Sequence, residues 1–211
     1  KDIGFSSDGT VSGIGKGLLF GLVCSVFAYA VECIVLLFLH GNVHLSFYAS
    51  GFSLTNEKVS QAGILLILSS VVFNLINVWM EEGVFRGLFT KILEGISYRK
   101  SLFFIAFLFG IWHLVMPLRD YLQGESSLVN LIAMGIGYVI LAGMMSIKWF
   151  LLYKMTGSLW FGLGDHFFNN LASNLVHVVS NSEADSLQIV RILLWQLLSF
   201  AIVLWGYQKR N

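Results

Sequence analysis

Apolar residues in this chain come in long unbroken runs, not in alternation. Six runs stand out, near residues 17–39, 62–82, 101–118, 128–152, 157–179 and 187–207. A helix needs about 20 apolar residues to cross a hydrocarbon layer of roughly 30 Å, and each run is close to that length. Lipid offers the backbone no hydrogen-bond partners, so spanning segments must be helices or closed barrels. Barrel strands would alternate with period two, and these runs do not. The pattern predicts an all-α, polytopic transmembrane helical bundle of about six spans. Loops are short, the longest near 40–61 and 119–127, and no repeat or second domain appears, so 1–211 reads as one integral membrane domain. The first run is longer than a signal-peptide core and lacks a strongly basic n-region, which argues against a cleaved signal.

Composition agrees: 56% of the 211 residues are hydrophobic and 12% are charged, against about 25% charged in an ordinary soluble domain. A net charge of +1 gives no basic excess for a nucleic acid. Cys24 and Cys33 form neither a disulfide framework nor a C-x-x-C pattern. The cations are unevenly placed. With six spans, ten of the thirteen Lys and Arg fall on the side of both termini, among them Lys1, and three fall opposite, Lys58, Arg119 and Arg191. By the positive-inside bias both termini are expected in the cytoplasm, and the membrane is expected to be a prokaryotic plasma membrane. Gly13, Gly17 and Gly21 have the small-xxx-small spacing that lets helices approach closely.

Ionisable groups at bilayer depth are costly and tend to face a cavity. The second run ends in Glu81-Glu82-Gly83-Val84-Phe85-Arg86. Glu82 and Arg86, four apart, share a helix face as an ion pair. Ser70, Asn74, Asn77 and Glu81 make a polar stripe on the same helix. The third run carries Phe109 and His113, again four apart, and the fifth carries Asp165, His166, Asn169 and Asn170, with Asn174 and His177 continuing the stripe. Each set has a plain alternative: an interfacial charge cluster, a packed histidine, or a polar seam between helices. Converging, they would supply a general base, a histidine partner and neutral donors for an oxyanion. Glu32 is read as packed or cavity-facing, without a role. Glu81 and His113 both lie 16 positions from residue 97 in the connecting turn, roughly 24 Å at 1.5 Å per residue. That match requires the second helix to continue to about residue 93. His166 lies only about 14 Å from its own turn, a mismatch of about 10 Å that protrusion of the hairpin or helix tilt would absorb.

In order and relative spacing, Glu81-Glu82-x-x-x-Arg86, Phe109-x-x-x-His113 and His166-x-x-x-Asn170 resemble the three motifs of the CPBP family. That family covers CAAX prenyl proteases and bacteriocin-processing or self-immunity proteins, the Abi group. The resemblance spans roughly 62–180 and implies a four-helix catalytic core. It implies metal-independent, glutamate-type peptide hydrolysis with no cofactor, acting on a peptide or lipopeptide in the bilayer, with a partner membrane protein as a further candidate. By the same resemblance Glu81 is the general base, His113 helps to hold the water, His166 and Asn170 form the oxyanion hole, and Glu82 with Arg86 supports the first motif. CAAX proteases of the family commonly have eight spans, so six point to the compact bacterial branch.

Other readings remain at this point. A zinc hydrolase could use Glu82, His113 and His166 as ligands with a water, although no H-E-x-x-H is present. A non-proteolytic scaffold or bacteriocin self-immunity protein could use the polar stripe as a binding seam. A transporter is disfavoured by the lack of paired broken helices.

Overall fold

The computed structural model describes residues 3–49 and 63–210. Lys1, Lys58 and most of the long loop expected near 40–61 therefore lie outside the described residues. Helix α1 (Thr10–His40) leads to a short strand β1 (His44–Phe47). Helix α2 (Ile64–Glu81) passes into a π-helical turn, Glu82–Leu88, and then α3 (Phe89–Ile92). Then come α4 (Tyr98–Trp112), α5 (Val115–Leu122), α6 (Leu128–Thr156) and α7 (Trp160–Leu175). Strands β2 (Val176–Ser180) and β3 (Glu183–Ala184) precede the last helix, α8 (Gln188–Arg210).

Five stretches among the described residues are long and apolar enough to cross a membrane: Thr10–Leu39, Ile64–Ile92, Tyr98–Leu122, Leu128–Thr156 and Gln188–Arg210. The chain is an integral membrane helical bundle. The run at 157–179 differs from expectation. It forms the 16-residue α7 and then turns extended at Val176. Val176, Val178 and Val179 are β-branched and suit a strand, and β2 pairs antiparallel with β1, His177 opposite Ser46. His177 thus belongs to a strand and not to the helical stripe.

Capping marks the longest helices. Ser127 Oγ accepts from Asn130 N at 3.2 Å to open α6, and Gly157 closes it at φ 69°, a left-handed conformation that glycine adopts without strain. Helix α1 lies directly on α7. A Cβ at Gly17 would stand 2.6 Å from Asp165 N and 2.8 Å from Gly164 Cα, so the glycine spacing read from the sequence lies on the α7 seam, with backbone against backbone at Gly17 and the Phe168 ring against Gly21. It fixes the helix that carries His166 and Asn170. Helix α8 packs on α1 and α6. The α2–α3 unit runs to Ile92, close to the residue 93 required by the depth argument.

At the end of the bundle away from α3, an ion-pair network secures the sheet. Arg191 on α8 bonds Glu32 of α1 at 2.6 Å and Asp185 at 2.9 Å. Asp185 also meets His177 Nδ1 at 2.6 Å. Glu32, which had no assigned role, is half of a buried ion pair.

Candidate active site

Glu81 closes α2 and Glu82 opens the π-helical turn, so the doubled acid sits where the helical winding changes. Such π-turns are rare and cluster at functional sites. Both carboxylates are buried, at 3% and 0% exposure, and both turn toward His166. Its Nδ1 lies 2.8 Å from Glu82 Oε1, and its Nε2 lies 3.4 Å from Glu81 Oε2. The depth mismatch expected for His166 does not arise, because these contacts bring α2 and α7 to the same level.

Arg86 lies 3.5 Å from Glu82 Oε1, a loose ion pair. The π-winding explains the looseness, since four-residue neighbours no longer lie directly above one another. The guanidinium is fully buried, has no hydrogen-bond partner among the described residues, and lies over the Phe109 ring at 4.0 Å. Its charge therefore faces aromatic rings, Phe109 and Trp149, as well as the carboxylate.

His113 follows α4 and is half-buried. Its Nδ1 lies 2.8 Å from the Phe109 carbonyl oxygen. That oxygen only accepts, so Nδ1 carries the proton and Nε2 is the free nitrogen. Glu81, His113, His166 and Asn170 all line one cavity of about 310 Å³. Asn74 and Asn77, from the polar stripe of α2, line it too. All four expected site residues are therefore brought to one space. Among the described residues no three His, Cys, Asp or Glu side chains are placed to hold a metal ion. Glu82 and His166, two of the three zinc ligands considered, are instead bonded to each other.

Several residues of the site were not singled out from the sequence. Trp149 stacks on His166 with ring centroids 3.7 Å apart and planes at 14°. Its indole N–H donates to Asp165 Oδ2 at 2.7 Å. The same oxygen lies 2.8 Å from Lys148 Nζ, in an ion pair with both side chains wholly buried. Lys148 also donates to Gln196 Oε1 at 3.2 Å and Ser199 Oγ at 3.1 Å, both on α8. The signal was present: Lys148 is a lone cation within an apolar run. Trp112 donates from Nε1 to Glu81 Oε1 at 2.9 Å.

The sequence profile of the Rce1-like type II CAAX prenyl endopeptidases matches residues 63–172, more than half of the chain. The chain belongs to that family. The matched span runs from the start of α2 through most of α7 and includes every residue expected at the site. Intramembrane protease activity is the activity this family supports, and the CPBP resemblance agrees with it. Comparison with curated proteins and with solved structures gives no match.

Proposed function

We propose that this Rce1-like protein is a glutamate-type intramembrane endopeptidase. The observation that carries the reading is the shared cavity: Glu81, His113, His166 and Asn170 line one space of about 310 Å³. Glu81 takes a proton from a water whose oxygen attacks the scissile carbonyl carbon. His113 Nε2, free of the backbone, helps to hold that water. The oxyanion forms against His166 Nε2–H and the Asn170 side-chain amide. Collapse breaks the C–N bond, and Glu81 returns the proton to the leaving amine. Donation from His166 Nε2 requires a proton there, so the state of the Glu82–Nδ1 hydrogen bond sets whether the donor is present. Glu82 and Arg86 thereby support the site without touching the reacting atoms.

The substrate is a peptide or lipopeptide reached from the bilayer. A second, apolar cleft of about 190 Å³ shares Tyr138, Leu141 and Ile192 with the cavity. It offers room for an apolar chain beside the reacting bond. The catalytic core is residues 62–180, within a single membrane domain of 1–211. Lys91, Arg99, Lys100, Lys154, Lys209 and Arg210 fall at one end of the helices, which supports a cytoplasmic placement of both termini; the membrane is read as a prokaryotic plasma membrane.

The test is incubation of the purified protein in lipid vesicles with a farnesylated CAAX-type peptide and its unmodified counterpart, read by fragment mass. Fragments from either peptide, absent with Asn170→Ala and with His166→Ala, are expected. Fragments that persist in both variants contradict the assignment of the oxyanion hole.

A further inference from the structure

The two oxygens of Glu81 are not equivalent. Oε1 accepts from Trp112 Nε1 at 2.9 Å. Oε2 is buried, has no hydrogen-bond partner among the described residues, and lies 3.4 Å from His166 Nε2. Trp112 is 48% exposed while Glu81 is 3% exposed. A tryptophan near a membrane surface ordinarily keeps its ring in the apolar layer and turns its N–H toward water or headgroups. Here the polar edge points inward, onto a buried carboxylate, and the apolar body is left outside.

We propose that Trp112 is a positioning residue for Glu81, its indole N–H holding Oε1 so that Oε2 is the oxygen that takes the proton of the attacking water. The proposal rests on the reading of Glu81 as the base. Three features carry it. The hydrogen bond is charge-assisted and directional, so it fixes the plane of the carboxylate. Helix α4 is itself held close to α6: a Cβ at Gly110 would stand 2.7 Å from Val139 O, so the donor sits on a rigid support. Trp112 also lines the cavity beside His113, so one helix turn orients the base and supplies the nitrogen expected to hold the water.

Trp112→Phe keeps an aromatic ring at this half-exposed position and removes the donor with the smaller ring that bears it; thermal melting checks that the fold is kept. In vesicles, kcat for a cleaved peptide should fall about tenfold or more, the scale of losing orientation at a reacting group, with KM within about twofold. A second readout needs no turnover. Among the six tryptophans, the ¹⁵N indole resonance lost in Trp112→Phe is assigned to Trp112, and it should shift on Glu81→Gln in an otherwise folded protein. A resonance indifferent to Glu81→Gln, or a kcat unchanged in Trp112→Phe, overturns the proposal. Absence of cleavage by the wild type on every peptide would overturn the endopeptidase reading instead, and the indole resonance would then decide the contact alone.

Discussion

Lys148→Met isolates the buried Lys148–Asp165 ion pair. In the parent, Lys148 Nζ and Asp165 Oδ2 are 2.8 Å apart and neither side chain has any exposure. Methionine matches the lysine stem in length, so packing changes little. What changes is charge: Asp165 keeps the Trp149 N–H but loses its cation, while Gln196 and Ser199 lose a shared donor. Removing one member of a buried pair costs about 3–5 kcal/mol. For a chain of this size that is a fall of roughly 10 °C in melting midpoint. Asp165→Asn in the same protein removes the orphaned charge and leaves an amide oxygen for Trp149, so Lys148→Met/Asp165→Asn should regain at least about 2 kcal/mol. The assay is thermal unfolding in one detergent at one pH for the parent, both single variants and the double variant. Single-variant losses that simply add in the double variant would refute the reasoning, as would a Lys148→Met midpoint within about 2 °C of the parent, an allowance of about 0.5 kcal/mol.

Gly17→Leu should separate α1 from α7, lowering the melting midpoint and abolishing cleavage together, whereas Gly15→Leu, with open space around its Cβ position, should do neither. Cleavage should be retained in a strong chelator after exhaustive dialysis; activity lost there and restored by zinc would favour the metal-hydrolase reading. At the sheet end, burial acts to raise the Asp185 carboxyl, but the His177 hydrogen bond, the Arg191 charge and the Val178 N–H outweigh it and hold it below the ordinary carboxylate range. A depressed group stabilises the fold above its unfolded value and loses that contribution as pH falls through its folded value. The midpoint gap between wild type and Asp185→Asn should therefore narrow from pH 6 to pH 3; a constant gap would contradict this.

Much of the bundle was legible because a membrane helix announces itself by apolar length alone. The α7 region was the exception. Its apolar content carried the run through to 179, but Val176, Val178 and Val179 prefer an extended chain, and pairing with His44–Phe47 gave them one. Neither the strand partner nor the ion pair of Glu32 with Arg191 could be found by local periodicity, since they join residues far apart in the chain; Asp185 and Arg191 are near in sequence but meet across a turn into α8. The site was legible as residue types at helical spacing. Its arrangement was not: the π-turn at Glu82–Leu88 leaves no sequence signature beyond Gly83 and Gly87. The Trp149 stack depends on α6 meeting α7. Lys148 and Trp112 were visible as residues, and only the tertiary contacts gave them roles.

The Glu81 carboxylate, as the base, is the group on which the proposed reaction turns. Turnover of one cleaved peptide by wild type and by Glu81→Gln, both purified in the same vesicles and with matching melting midpoints, measures it. A fall of about 10²–10⁴, the ordinary contribution of a positioned base, is the predicted result. Equal turnover in the two proteins would contradict the account.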